Sequence, residues 1–232
     1  VYIYIKGNKQ QQAIAVKEKV KTGKAFQPTG MKVVFAFLKN KKLINAPYRE
    51  IADQAGVALG TVGWVIRDLI AQGLLLEGIN KNKRELTDFN LLLEKWIEAY
   101  PHKLKAKQKI GTFTTDNTDW WKAINPEQFD AQWGGEIAAA KYTNYLNPKQ
   151  GVVYIKKANM AKFLQKARLR KLEVHERPDI QIELIEPFWK EVKENTKQSG
   201  LAHPIITYAD LIETGDTRNL DTANRLREKY LR

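Results

Sequence analysis

The sequence predicts an α+β protein in which a winged helix-turn-helix domain is followed by a mixed α/β domain with a small sheet. Two short helical patterns joined by a glycine-containing turn lie in residues 47–73, PYREIADQAGVALGTVGWVIRDLIAQG. Such a pair is the form of a helix-turn-helix unit. Two short strand patterns follow it directly, where a winged helix has its wing. After residue 100, short helical and strand patterns alternate, which predicts a mixed domain.

The first helix of this unit is predicted over residues 48–54, and Gly56 ends it. Helical spacing resumes over Leu59 to Ala71, and Gly73 ends the second helix. One side of this second helix is apolar: Val62, Val65, Ile66, Leu69 and Ile70. A two-helix corner in any helical core can carry the same pattern, so the flanking segments decide between the two interpretations.

The flanks complete the pattern of a winged helix. A helix is predicted before the unit, over residues 31–39, with Thr29 as its N-cap. After the unit, strands at residues 74–77 and 84–87 enclose a basic turn, which predicts a hairpin that serves as the wing. Phosphate contacts from such a wing position a protein on DNA without reading its sequence.

An amphipathic helix at residues 90–100 is expected either to pack on the winged-helix core or to bridge to the next unit, and we assign residues 29–100 to the winged-helix domain. Pro101 is expected to end this helix, and the basic stretch 102–109 is interpreted as a connector. Residues 101–232 form the predicted α/β domain. Its strands are predicted at 111–115, 151–156 and 180–185, and its helices at 133–146, 159–171, 207–213 and 216–231.

Residues 1–28 are predicted as a strand-rich lead-in. The chain opens with VYIYIK, which alternates as a strand does, and Gly7-Asn8 follows as a turn. The chain does not begin with Met, so we interpret this lead-in as the tail of a segment that precedes it.

A formal net charge of +13 is the most marked bulk property of the 232 residues. Residues 1–29 carry +5 and residues 30–110 carry +6, whereas the remaining residues carry only +2. The positive field therefore coincides with the predicted winged helix, and such a field attracts phosphate with a strong salt dependence. A lysine-rich surface that is merely solvated is the alternative.

Several classes of chemistry are excluded. The absence of cysteine excludes disulfides, zinc-thiolate sites and thiol catalysis, and it accords with a cytoplasmic location. The sequence has no run of eighteen apolar residues, so no membrane span is expected. His102, His175 and His203 lack the spacing of metal ligands, and neither a Walker-type loop nor a G-x-S-x-G motif is present. We therefore expect no catalytic residue, no metal and no cofactor.

The clusters that resemble catalytic groups are interpreted as structural. Gly134-Gly135 permits a tight turn before a helix, Glu136 suits the positive start of that helix, and Asp216 suits an N-cap. Most tryptophans are expected in the core. Trp64 differs, because it lies on the second helix of the unit, where a polar side chain would normally face a DNA groove.

Four stretches resemble, in the same order, the AbiEi-like antitoxin and transcriptional-regulator family of bacterial type IV toxin-antitoxin systems, which act in abortive infection. They are REIADQAGVALGTVGWVIRDLIAQGLL, LLLEKWIEAY, WGGEIAAAKYTNYLNPKQGVVYI and PIITYADLIETGDTRNLDTANRLREKYL, and the resemblance covers about residues 26–232. It implies a winged helix joined to a mixed α/β antitoxin domain and repression of the protein's own operon through operator DNA. It also implies a nucleotidyltransferase-type toxin as functional partner, without the need for a stable complex.

The resemblance places the DNA-contacting residues on the second helix of the unit and on the wing, with one candidate on the first helix. These candidates are Arg49, Thr61, Trp64, Arg67, Lys81, Lys83 and Arg84. Thr61, Trp64 and Arg67 are expected to be exposed on the recognition helix. Such helices often present Ser and Arg where this chain has Gly63 and Trp64. This departure predicts weaker base discrimination, since a lost guanine contact removes roughly 1 to 3 kcal/mol.

The sequence thus predicts a cytoplasmic DNA-binding transcriptional regulator without catalysis of its own, acting as the antitoxin of a type IV system. Two alternatives stay open. The chain could be the DNA-binding portion of a larger nuclease-like or repair-like protein, since some relatives carry an upstream restriction-endonuclease-like segment whose tail residues 1–9 resemble. Alternatively, the winged helix could serve protein contact, with Trp64 as an interface anchor.

Overall fold

The computed structural model of the protein describes residues 23–78, 83–190 and 199–231. The strands predicted before residue 23 and the tip of the predicted wing, which includes Lys81, lie outside these ranges. Within them the protein is α+β, as predicted, with helices, a two-stranded sheet and a five-stranded sheet. No helix in the described ranges is both long and apolar enough to cross a membrane.

Short helices packed around one apolar core form the N-terminal part. They are α1 (Pro28–Lys39), α2 (Tyr48–Ala55) and α3 (Leu59–Ala71), with 3-10 turns at Lys24–Phe26 and Lys41–Asn45. The positions of α2 and α3 confirm the prediction. Thr29 does not cap α1. The helix begins one residue earlier, at Pro28, whose fixed φ suits the first helical position, and Gln27 is the N-cap.

Burial of one side of α3 holds these helices together. Val62, Val65 and Leu69 are fully buried and Ile66 is nearly so, as their helical spacing predicted. Each such side chain stabilises the fold by roughly 1.5–3 kcal/mol relative to leaving it exposed. Together they fix which side of α3 remains available at the surface.

A hairpin follows α3. β1 (Leu75–Glu77) pairs antiparallel with β2 (Arg84–Leu86), so that Leu75 lies opposite Leu86 and Glu77 lies opposite Arg84. Thr87 fastens the hairpin to the end of α3, because its hydroxyl donates to the carbonyl oxygen of Gly73 over 2.7 Å. Helices α1 to α3 followed by such a hairpin have the element order of a winged helix.

The α-helix after the hairpin ends at Tyr100 as predicted, but Pro101 does not end the helical backbone. α4 (Phe89–Tyr100), which the Asp88 side chain caps, continues through a π-helical turn at Pro101–Lys105 into α5 (Ala106–Gln108). Proline lacks an N–H and its ring crowds the carbonyl one turn earlier, but the wider π-helical turn accommodates both restrictions. The stretch interpreted as a connector is therefore helical as far as Gln108.

A mixed five-stranded sheet organises the rest of the described chain. Its strands are β3 (Lys109–Thr114), β4 (Gln132–Gly134), β5 (Gly151–Tyr154), β6 (Arg170–Lys171) and β7 (Ile182–Ile185). They run in the order β4-β5-β7-β3-β6, with β5 parallel to β7 and the other neighbours antiparallel. The helices around it are α6 (Gly135–Thr143), α7 (Lys157–Ala167), α8 (Pro204–Thr214) and α9 (Thr217–Tyr230).

Some predicted bounds in this part change and one cap is confirmed. The predicted helix over 159–171 ends at Ala167, because Arg168 adopts a left-handed conformation with φ 53° and the chain turns into β6. Residues 132–134 form a strand before α6 instead of the start of the helix. Asp216 caps α9 as predicted, since its Oδ1 accepts the N–H of Asn219 over 3.1 Å.

An aromatic cluster joins the helical part to the sheet part. The Trp96 ring of α4 stacks on Phe35 of α1 and on Tyr100, with centroids 5.4 and 4.8 Å apart. Phe188 and Trp189, which follow β7, lie 5.1 and 6.1 Å from the Phe35 ring. The two parts therefore share one core. The division at residue 100 stays a prediction, and its boundary falls within a continuous helical stretch.

Candidate nucleic-acid interface

A left-handed glycine fixes the turn between α2 and α3. Gly56 has φ 63° and ψ 43°, a conformation that residues with a side chain rarely adopt. Its N–H donates to the carbonyls of Ala52 and Asp53, which closes the end of α2. The chain then leaves in an extended conformation at Ala58, the N-cap of α3. This short turn sets the angle at which α3 reaches the surface.

The exposed side of α3 carries Gly60 and Arg67. Gly60 and Arg67 are exposed, whereas Gly63, which lies between them on the same face, is buried. A Cβ built on Gly60 would have no atom within 4 Å, whereas one on Gly63 would lie 3.5 Å from Cε2 of Tyr48 and 3.7 Å from Nη1 of Arg67. Leu59, at the start of the helix, is 51% exposed. The first turn of α3, at Gly60, can therefore approach another molecule closely, whereas Gly63 is buried with Tyr48 and Arg67 beside it.

Three of the residues expected to contact DNA are exposed: Arg49, Arg67 and Lys83. They lie on α2, on α3 and directly before β2. Lys83 lies 3.6 Å from Glu85 in a solvent-exposed ion pair, which holds the lysine weakly. An acidic side chain of α2, Asp53, pairs with Lys190 over 2.7 Å. That pair offsets one negative charge close to the turn.

Thr61 and Trp64 do not face outward as expected. Thr61 is 8% exposed, because it precedes Val62 and lies one turn before Val65, on the side of α3 that packs on the core. The prediction that Thr61 is exposed is therefore wrong. Trp64 is partly buried and packs against the core, so only part of its ring is available to a groove or a partner.

Arg84 is held inward by Asn45. The backbone N–H of Arg84 donates to Oδ1 of Asn45 over 2.6 Å, and Nδ2 of Asn45 donates to the Arg84 carbonyl over 2.9 Å. The Asn45 amide thus pairs with β2 as a neighbouring strand would and ties the hairpin to the turn before α2. Arg84 is 8% exposed, so the hairpin does not present this side chain openly to solvent. Its part in DNA binding stays a prediction.

Sequence reasoning missed Tyr48, the first residue of α2. Its ring is 41% exposed and lies between the Gly63 backbone and the guanidinium of Arg84, whose Cζ is 5.1 Å from the ring centroid. An aromatic residue directly after a proline, at the start of an otherwise polar helix, was the available signal. Tyr48 connects α2, α3 and the hairpin at one point of the surface.

A second polar cluster lies buried beside the sheet. Asp210 accepts hydrogen bonds from the Tyr154 hydroxyl over 2.9 Å and from the Gly135 N–H over 3.0 Å, and its Oδ1 lies 3.0 Å from Nζ of Lys105. Glu213 lies 2.6 Å from the same Nζ. Burial alone would lower the pKa of Lys105, but the carboxylates hold that pKa above its usual value. Burial raises the pKa of Asp210, and Lys105 opposes this shift. The cluster ties the π-helical turn to α6 and α8.

Glu136 is enclosed by further structural partners. Its Oε1 accepts from Nδ2 of Asn219 over 3.0 Å and from Nη2 of Arg218 over 3.1 Å, and its Oε2 accepts the N–H of Lys149 over 2.6 Å. These bonds tie the start of α6 to α9 and to the loop before β5. In the ranges that the structure describes, no three His, Cys, Asp or Glu side chains come together as a metal-binding group.

A family model described as transcriptional regulator, AbiEi antitoxin, type IV TA system matches residues 85–232. Neither a curated protein nor a solved structure matches the chain at a significant level. The matched residues begin within β2 and include α4 to α9, which is more than half of the chain, whereas α2 and α3 precede them. The chain therefore belongs to the AbiEi antitoxin family of type IV toxin-antitoxin transcriptional regulators.

Proposed function

We propose that the chain binds duplex operator DNA through α2, α3 and the β1–β2 hairpin and thereby represses its own operon, as the antitoxin of a type IV system. The observation that carries the proposal is the exposed first turn of α3, where Gly60 leaves the backbone open, together with the exposed cations Arg49, Arg67 and Lys83, in a chain of a regulator family. Helix-turn-helix proteins place such a helix in the major groove. Because α2 and α3 precede the matched residues, the support for DNA binding comes from this turn and these cations.

The chemistry of α3 suits the major groove, which is about 12 Å wide and admits an α-helix. Gly60 leaves the backbone of α3 open to the edges of the bases. The Arg67 guanidinium can pair with O6 and N7 of a guanine, a contact worth roughly 1–3 kcal/mol of discrimination. Arg49 and Lys83, with Lys81 on the wing, would bind backbone phosphates and position the helix without reading sequence.

The residues from 101 onward, all of which lie within the family match, would carry the antitoxin role. We propose residues 29–100 as the DNA-binding part and 101–232 as the antitoxin part of one cytoplasmic protein. Its functional partner would be a nucleotidyltransferase-type toxin, which it need not bind stably. The aromatic contacts of Phe188 and Trp189 with Phe35 would keep the two parts together.

Binding to DNA tests the proposal directly. Fluorescence anisotropy would compare the chain's own upstream promoter with a scrambled duplex at about 50 and 200 mM salt, the range over which phosphate-dominated affinity falls steeply. A preference for the promoter that survives the higher salt supports an autoregulating antitoxin. Equal, salt-sensitive binding of both duplexes would instead favour the DNA-binding portion of a nuclease-like protein.

Two exposed apolar residues, Tyr48 and Leu59, favour one alternative, in which the α2–α3 face contacts another protein. A triple alanine variant at Arg49, Arg67 and Lys83 separates the two functions, because these side chains are exposed and their removal leaves the core intact. Loss of duplex affinity at about 50 mM salt supports DNA binding by this face. Unchanged affinity would exclude it and leave protein contact as the function of the face.

A further inference from the structure

Arg84 is a buried cation that the described protein does not neutralise. The residue is 8% exposed, and its Nε and Nη1 have no hydrogen-bond partner among the described residues. The neighbouring carboxylate on β2, Glu85, pairs with Lys83 instead. A buried charge without a partner is costly to a folded protein, and an anion that reaches it recovers much of that cost.

Hydrogen bonds from both sides hold the backbone of Arg84 in place. Asn45 binds both the N–H and the carbonyl of Arg84, and β1 pairs with the same residue through Glu77. The guanidinium is therefore presented by a fixed backbone, which reduces the entropy lost when a ligand binds.

The Tyr48 side chain covers the guanidinium of Arg84 and can rotate away from it. The Tyr48 ring lies over Cζ of Arg84 at 5.1 Å and is 41% exposed, so rotation of one side chain opens the position. Tyr48 also begins α2, whose N-cap, Pro47, offers no side-chain hydrogen bond to the first N–H groups. These free N–H groups and the helix dipole favour an anion at the same place. Nη1 of Arg67 also lies near Gly63, within 3.7 Å of the position that a Cβ on this glycine would take.

We propose that Arg84, Tyr48 and the first turn of α2 form a binding site for one backbone phosphate of duplex DNA. The phosphate oxygens accept hydrogen bonds from the guanidinium of Arg84, an arrangement that arginine favours with phosphate. The Tyr48 ring moves aside to admit the phosphate. This inference rests on the proposed function, because the site lies at the junction of the three elements assigned to DNA binding.

Arg84→Met tests the site, because methionine keeps an unbranched apolar stem and removes the charge. Each phosphate contact contributes about 0.9 to the slope of log affinity against log salt. Between 50 and 200 mM salt, the affinity of the variant should therefore fall about 3.5-fold less than that of the wild type. The melting temperature of the free protein should stay equal or rise, because an unpaired buried charge is removed. A lower melting temperature with an unchanged salt slope would overturn the proposal in favour of a structural arginine.

A phosphate scan locates the partner of Arg84. Duplexes that each carry one uncharged methylphosphonate linkage are titrated with wild type, with Arg84→Met and with the exposed control Lys83→Met. The wild type should lose affinity by roughly tenfold at one linkage, as expected for a charge-assisted hydrogen bond. Arg84→Met should bind the duplex modified at that linkage as tightly as it binds the unmodified duplex, whereas Lys83→Met should still bind the modified duplex more weakly. If the affinity losses caused by Arg84→Met and by the methylphosphonate add up at every linkage, no phosphate is coupled to Arg84 and the proposed site is overturned.

Two further outcomes separate this inference from the proposed function. If the wild type binds no duplex, the proposed function fails and the phosphate of this site is not one of duplex DNA. If the duplex binds without any linkage coupled to Arg84, only the inference about the site fails. A third outcome is that inorganic phosphate stabilises the wild type but not Arg84→Met, while no DNA linkage is coupled to Arg84. This result would identify a site for free anions and would also overturn the DNA assignment.

Discussion

Replacing Lys105 with methionine should destabilise the protein strongly, because the change leaves Asp210 buried without its cation. The side chains of Lys105 and Asp210 are 7% and 1% exposed, and Nζ lies 3.0 Å from Oδ1. Removal of one partner of a buried ion pair costs about 3–5 kcal/mol. The Tyr154 hydroxyl and the Gly135 N–H still donate to Asp210 in the variant. We therefore expect a loss near the lower end, about 3 kcal/mol.

Urea unfolding at pH 7 measures this loss as a lower midpoint with an unchanged m-value. The melting temperature should fall by roughly 6–12 °C, since about 3 kcal/mol corresponds to 2–4 °C per kcal/mol in a chain of this size. Lys109→Met is the matched control. Lys109 pairs with Glu183 where both side chains are 30–40% exposed, so its removal should cost no more than about 1 kcal/mol.

A double-mutant cycle isolates the pair itself. Asp210→Asn removes the charge that Lys105→Met leaves behind, so the double variant should be less destabilised than the sum of the single variants. We expect a coupling of at least about 1.5 kcal/mol, within the range for residues in direct contact. A loss below about 1 kcal/mol for Lys105→Met, or additive losses in the cycle, would refute the reasoning.

Three further predictions concern the helix-turn-helix unit and its junction with the sheet. Asn45→Ala removes both hydrogen bonds to the Arg84 backbone and should lower the free energy of unfolding in urea by about 1–3 kcal/mol. An equal or higher urea midpoint would contradict the stabilising role of these two bonds. Gly56→Ala forces a side chain into φ 63° and should lower the free energy of unfolding by about 1–2 kcal/mol. Gly60→Ala places its methyl group in open space, so it should keep the stability of the wild type while weakening DNA binding. A Gly56→Ala variant as stable as the wild type would argue against a strained turn. Burial lowers the pKa of His203 to about 3, below an unfolded value near 6.5, so the unfolded chain takes up a proton first and stability falls as the pH drops from about 6.5 towards 3. His203→Asn, which can keep the N-cap of α8, should flatten that part of the profile, and an unchanged profile would assign the pH dependence to other groups.

Local patterns predicted the elements that depend on nearby residues. The bounds of α3 follow from its apolar spacing, and the end of α2 follows from Gly56, which is the residue that a left-handed turn favours. Asp216 was recognised as an N-cap because its side chain bonds only three residues away. In each case the determining contact lies within a few positions of the chain.

Features that depend on distant residues were not predictable in the same way. Arg84 is turned inward by Asn45, 39 positions earlier, and no local pattern in the hairpin records that contact. Lys105 looked like part of a basic connector, yet it pairs with Glu213, 108 positions later. The continuation of the helix through Pro101 also depends on tertiary packing, since proline by itself favours a helix end.

Arg67 tests the central claim, that the exposed face of α3 reads operator DNA, most directly. Fluorescence anisotropy would compare wild type, Arg67→Met and Arg225→Met on the chain's own promoter and on a scrambled duplex at about 200 mM salt. Arg225→Met changes the net charge equally, on the exposed side of α9, and should retain the promoter preference. Arg67→Met should lose roughly 1–3 kcal/mol of affinity for the promoter and little for the scrambled duplex. Equal promoter affinities of the two variants, or no promoter preference in the wild type, would contradict the claim.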